Sequence, residues 1–192
     1  FVTSGRINKP PDASMRTMNG YDSLRSSAAW FDLSQRGRIR LTGEDRARLV
    51  HAMCTNHIEQ LQPGQGCPAF FLNAQGRILS DALIFNLGDA LLLDTEPEAR
   101  ERLFQHLDEY IIADDAVPED VSGALAAIAI AGPDSASVLA ARGFQRPEED
   151  SAIVLQPNGF RIANVSLTGQ PAGFIVYLPA GELANFAASL NI

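Results

Sequence analysis

A motif near residue 43 comes round again near residue 132, and that recurrence limits the folds open to this chain more than any other feature. Gly43-x-Asp45-x-Ala47-x-Leu49-Val50 aligns with Gly132-x-Asp134-x-Ala136-x-Val138-Leu139. A run of strand character precedes each copy, Arg36 to Leu41 in one case and Leu125 to Ala131 in the other. Strand candidates and a helix follow each. The first helix carries Leu103, Phe104, Leu107, Tyr110 and Ile111 at helical spacing. The second follows the runs Ile153–Leu155, Phe160–Val165 and Phe174–Leu178 and covers about Glu182 to Leu190. A period of roughly ninety residues is too long for a solenoid repeat. The pattern therefore predicts an α+β fold of two similar lobes packed together, each reading strand, helix, strands, helix. The expected division is a mobile leader over 1–20, a first lobe over 21–115, a connector over 116–124 and a second lobe over 125–192. A small-molecule pocket is expected between the lobes.

Within the first lobe, Ala69-Phe70-Phe71-Leu72 enters a polar turn with Asn73 and Gly76, and a second apolar run, Ile78 to Leu87, leaves it. That reads as a β-hairpin. Asp81 interrupts the second run, where a carboxylate costs free energy unless it is paired, hydrogen-bonded or facing a cavity. Two readings stay open: a bulge or solvent-facing acid, and a functional carboxylate. Arg36, Arg38 and Arg40 alternate with Gly37, Ile39 and Leu41, which puts three guanidinium groups on one strand face. A solvated edge strand explains that stripe, or else a site for a ligand carboxylate. Thr42-Gly43-Glu44-Asp45 predicts a capping box ahead of a helix with Leu49, Val50 and Met53 as its apolar stripe. Tyr21 to Trp30 predicts a short helix, and the acidic stretch from Ala113 to Gly123 a connector.

With those residues in view, the chain resembles the aminomethyltransferase (glycine-cleavage T-protein) superfamily. Asn73-x-x-Gly76-Arg77-Ile78-x-Ser80-Asp81-x-Leu83-Ile84-Phe85 is similar to that family's N-x-x-G-G-I-x-D-D-x-x-V-Y segment. Leu24-Arg25, Phe31-Asp32-Leu33-Ser34, Thr55-Asn56 and Leu61-x-Pro63-Gly64-Gln65 stand where the family has V-R, F-D-V-S, T-N-D and a Gly-rich turn. Ile130-Ala131-Gly132-Pro133 resembles its Q-G-P element and Thr168-Gly169 its T-G-E-D-G-F-E loop. Order and spacing, from about Tyr21 to the last residue, carry the likeness. Arg77 and Ser80 depart from G-G and D-D, a form closer to the YgfZ-type folate-binding branch. Gln170, Pro171 and Ile175 replace acidic positions of the later loop, and Leu167 its aromatic one. The family's C-terminal third would fall beyond Ile192.

The resemblance implies a two-lobed folate-binding fold with tetrahydrofolate as cofactor. Asp81 matches the acid essential to transfer, expected to hydrogen-bond the pterin or the transferring nitrogen. Phe85 matches an aromatic expected to line the pocket. Asp94 stands where the family commonly has an Asn ending the next strand, and is expected with Asp81 and Phe85 to bind the cofactor. Three functions follow. The first is a folate-binding accessory protein serving iron–sulfur proteins. The second is a one-carbon transferase receiving an aminomethyl group from a lipoyl carrier protein. The third is a non-catalytic interaction module.

Composition removes other classes. The net charge of −8 argues against a nucleic-acid surface, which needs clustered positive charge. No apolar run approaches the ~20 residues of a membrane span. Cys54 and Cys67 show neither C-x-x-C spacing nor a His at ligand spacing, so they read as reduced cytosolic thiols with no metal between them. A cytoplasmic protein is the expectation.

Overall fold

The polar turn over residues 73–77 closes as a hairpin because Asn73 supplies its own closure. Its side-chain oxygen accepts the backbone N–H groups of Gln75 and Arg77, at 3.0 and 2.9 Å. The computed structural model describes residues 20–165 and 173–190. Most of the expected leader, and the loop holding Thr168, Gly169, Gln170 and Pro171, lie outside the described residues. The hairpin pairs β3 (Gly66–Leu72) with β4 (Ile78–Asn86). Phe70 stands opposite Asp81, and a bulge follows between Phe71 and Leu72.

Around the hairpin the first half continues as expected. The strands β5 (Leu91–Thr95) and then β2 (Gly37–Thr42) extend the sheet on its β4 side, with helices α2 (Arg46–Met53) and α3 (Arg100–Tyr110). The second half gives β7 (Leu125–Ala131), α4 (Ser135–Ala140), β8 (Ile153–Leu155), β9 (Arg161–Asn164), β10 (Gly173–Pro179) and α5 (Leu183–Leu190). Two elements differ from expectation. The Tyr21–Trp30 stretch divides into α1 (Gly20–Ser26) and a strand, β1 (Ala29–Asp32), and the acidic connector contains another strand, β6 (Val117–Asp120).

These two unexpected strands change places. The first sheet runs β3-β4-β5-β2-β6 and the second β8-β9-β10-β7-β1, both antiparallel at every described pairing. Strand β1, from the expected first lobe, closes the second sheet, and β6, from the expected connector, closes the first. The halves match strand for strand, and the matching extends to single bonds. Asp32 accepts the N–H of Ser34 and Asp120 that of Ser122, at 2.8 and 2.9 Å. Leu33 donates to the Ala127 carbonyl as Val121 does to that of Arg38. The repeated glycines have the same cause. Gly43 and Gly132 hold φ of 100° and 113°. A Cβ there would meet the carbonyl oxygens of Asp115 and Ser27 at 2.1 and 2.6 Å, where the exchanged segment runs past.

Packing produces four layers. Ile39, Leu41, Ala82, Ile84, Leu91 and Leu93 turn one face of the first sheet towards α2 and α3, whose Leu49, Val50, Leu103 and Leu107 are buried against it. The second sheet meets α4 and α5 through Ile128, Val176, Leu139 and Phe186. Between the sheets, Phe85 and Leu92 pack on Ala127, Ala163, Ile175 and Tyr177. Each buried Leu, Ile, Val or Phe side chain among them is worth about 1.5–3 kcal/mol.

The arginine stripe is therefore no solvated edge. β2 lies between β5 and β6, and its alternate face looks into the molecule. Arg38 is fully buried and donates to the carbonyls of Leu33, Ser34 and Ser122, which ties both Asp-x-Ser turns to one guanidinium. The capping box is also replaced. Thr42 continues the strand and bonds the Val117 carbonyl, while Asp45 accepts the Asp115 N–H at 2.9 Å. Burial pushes the Cys67 thiol up to about 11, and neither Cys67 nor Cys54 forms a disulfide.

Candidate functional site

Alternation along β4 decides which of the predicted residues share a surface. Ser80, Ala82 and Ile84 face the helices, so Asp81, Leu83 and Phe85 face the other way. Asp81 is exposed and Leu83 half-buried, whereas Phe85 is buried in the inter-sheet core, its ring edge-on to Tyr177 at 6.1 Å. On β3 the same face carries Pro68 opposite Leu83 and Phe70 opposite Asp81, both exposed. The second sheet thus covers the Phe85 end and leaves Pro68, Phe70, Asp81 and Leu83 as an open shelf.

Asp94 lies on that face too, across from Leu83, but its side chain is 0% exposed. It takes the Arg36 guanidinium on one oxygen and the Tyr177 hydroxyl, at 2.9 Å, on the other. Burial pushes its carboxyl above the ordinary value, and Arg36 opposes that push. Arg36 itself is lowered by burial but raised further by Asp94 and Glu96. The two partners thus disagree on whether the pair repays its burial. Burial decides at Asp94, because Arg36 keeps 18% exposure and a second partner in Glu96. Burial, with Asp94 beside it, also holds the Tyr177 phenol well above 10.0.

Phe85 and Asp94 therefore support the shelf from inside, while Asp81 stands on it. The backbone under Asp81 is fixed from the next strand. Thr95 Oγ1 donates to the Asp81 carbonyl at 2.6 Å and meets Ser80 Oγ at 3.0 Å. Arg36 was expected in a stripe that is solvated or receives a ligand carboxylate, not as the partner of Asp94, and neither Tyr177 nor Phe70 was expected at the site. For Phe70 a signal existed, since the hairpin register alone sets it opposite Asp81. Nothing local joins Arg36 or Tyr177 to Asp94, 58 and 83 residues away.

A groove of about 390 Å³ lies elsewhere, between the hairpin turn and α3, lined by Asn73, Gln75, Arg102, His106 and Tyr110 among others. It belongs to the helix side of the first sheet and not to the shelf. Shape alone favours the groove as a site. The Asp81 carboxylate, without a partner among the described residues and beside an exposed ring, makes the shelf the candidate on chemical grounds. Among the described residues, no three His, Cys, Asp or Glu side chains come together as a metal would need.

Residues 12–172 match the family described as the GCVT N-terminal domain. The chain belongs to that family. Among relatives of this GCVT N-terminal domain protein, an aminomethyltransferase of Herpetosiphon aurantiacus is 30% identical over 174 residues, 85% of this chain and 46% of the relative. A putative chloroplastic transferase of Arabidopsis thaliana is 32% identical over 119 residues, 62% of this chain and 28% of that one. The chain thus spans less than half the length of either. The crystal structure of the glycine cleavage system aminomethyltransferase T from Bartonella henselae superposes with a TM-score of 0.80 at 23% identity. It matches 87% of this chain and 46% of its own, and shows that the fold is shared. Among the described residues, no helix is long and apolar enough to cross a membrane.

Proposed function

We propose that this chain binds tetrahydrofolate on the shelf beside Asp81, and that it does so as an accessory protein of one-carbon or iron–sulfur protein metabolism. The observation that carries the reading is an exposed carboxylate in mid-strand, beside the apolar side chains of Pro68, Phe70 and Leu83, at the position of the family's folate-pocket acid. Such a carboxylate offers two acceptor oxygens to N–H donors of a pterin. Phe85 and the Asp94–Arg36–Tyr177 cluster hold the strand that presents it.

An accessory role is preferred over transfer because, among the described residues, Asp81 has no acidic neighbour free to act with it on this face. Ser80 stands at the family's first acid, is buried, and points to the helix side. Asp94 is already committed to Arg36 and Tyr177. Losing one positioned polar group of a reacting unit commonly costs 10²–10³ in rate. The relatives' names favour the other reading, an aminomethyltransferase, for which the resemblance implies tetrahydrofolate and a lipoyl carrier protein. The two thiols fit a reducing compartment, and the cytoplasm is our assignment.

Calorimetry and thermal shift with tetrahydrofolate and its 5-formyl form test the binding. At 100 times the dissociation constant, ligand raises stability by about 2.7 kcal/mol. Absence of both heat and shift at high protein concentration refutes it. Supplying aminomethyl-lipoyl carrier as well separates the roles: steady formation of methylene-tetrahydrofolate and ammonia above background overturns the accessory reading.

A further inference from the structure

Phe70 is 48% exposed while Phe71 beside it is fully buried. An exposed aromatic is unremarkable alone, but this one is directly opposite Asp81. Opposed residues of an antiparallel pair have Cβ atoms about 4.5–5.5 Å apart, and their side chains stand up from the sheet together. The ring and the carboxylate therefore rise side by side, with Pro68 and Leu83 next along the same face. Phe70 is also held in place, although β3 is an edge strand. Its N–H donates to Thr55 Oγ1 at 3.0 Å, and its carbonyl accepts the Thr55 N–H at 3.0 Å. These bonds fix the backbone that carries the ring.

A π face next to a carboxylate suits a flat heterocycle that stacks on the ring and turns N–H donors to the acid. It does not suit an anion. The arginine stripe that seemed able to receive a carboxylate tail is committed: Arg36 to Asp94 and Glu96, Arg38 to three carbonyls, Arg40 to Asp89. We infer that Phe70 is the stacking platform of the site, the ring on which the pterin received by Asp81 lies. This rests on the folate reading above and adds a binding residue to it.

The test compares the wild type with Phe70→Ala, Phe70→Leu and Phe70→Tyr, using tetrahydrofolate, tetrahydropterin and 4-aminobenzoyl-glutamate in binding titrations, with melting temperatures as a control. Phe70→Ala should weaken tetrahydrofolate and tetrahydropterin by about five- to a hundredfold, the range of stacking on an aromatic ring. Phe70→Leu should weaken both as well, Phe70→Tyr should bind like the wild type, and 4-aminobenzoyl-glutamate should respond to none of them. If the wild type binds tetrahydrofolate and Phe70→Ala or Phe70→Leu binds it equally well, the platform is refuted and the folate reading stands. Equal weakening of the two fragments refutes stacking of the pterin on Phe70. A wild type that binds no folate removes the folate reading and this inference together.

Discussion

Asp81 and Asp94 are two carboxylates on one sheet face with opposite fates, and their surroundings decide which can meet a ligand. Asp94 lost its water to the second sheet and regained partners in Arg36 and Tyr177. Among the described residues Asp81 keeps a free carboxylate, because the second sheet stops short of it. Asp81→Asn preserves size and leaves the strand's own bonds in place, since only the Asp81 carbonyl is used by Thr95. Affinity for tetrahydrofolate should fall about ten- to a hundredfold, as loss of a charged hydrogen bond costs roughly 1.5–3 kcal/mol. The melting temperature should hardly move. A lower melting temperature with unchanged affinity would assign Asp81 to the scaffold instead. That Asp81 was unusual could be read from the sequence, because a lone acid in an apolar run breaks the strand pattern. Asp94 looked equally available there. Its burial depends on a sheet whose residues come much later in the chain, and local patterning carries no record of it.

At the scale of elements, the hairpin, α2, α3 and the strands β7 to β10 were legible because their apolar residues alternate or recur at helical spacing. β1 and β6 were not. Val117-Pro118-Glu119-Asp120 has the polarity of a loop, and it forms a strand because Thr42, Leu41, Arg40 and Ile39 offer it an open sheet edge. Pro118 and the acids also suit an edge, where they discourage further pairing. The segment leading to β6 is tied to the start of α2 by several bonds: the Asp45 carboxylate takes the Asp115 N–H and sits by Arg48, Arg48 also pairs with Asp114, and Asp115 accepts the N–H groups of Glu44 and Asp45. The Asp115 N–H and Arg48 hold the Asp45 carboxyl below its ordinary 3.8. A depressed carboxyl stabilises the fold above its unfolded value, and that contribution disappears as the pH falls through the folded one. Asp45→Asn should therefore melt below the wild type at pH 7, and the gap should close as both are acidified from about pH 4 towards pH 2. A gap that stays constant or widens on acidification would show that Asp45 acts by shape and not by charge.

For the whole molecule, the exchange of edge strands joins the halves more firmly than two packed lobes would require. The second sheet lacks an edge without residues 29–32, and the first lacks one without residues 117–120. Arg38 holds the Asp-x-Ser turns of both halves, and the Tyr177 hydroxyl reaches Asp94 across the inter-sheet core. Asp94 faces Arg38 as Tyr177 faces Ala127, so the bonded pair occupies matching places in the two halves. Tyr177→Phe should leave one oxygen of a buried carboxylate without its donor and cost about 1–3 kcal/mol. It should not separate the halves, because Arg38 and both exchanged strands remain. In urea, emission from Trp30, the single tryptophan, reports the edge of the second sheet, and far-UV circular dichroism reports both sheets. The two signals should superimpose in one transition, in the wild type and at a lower midpoint in Tyr177→Phe. Independent lobes predict the contrary: Trp30 would change at one urea concentration while a separate part of the dichroism persisted to another. Observing that split in the wild type would mean that the exchanged strands do not couple the sheets.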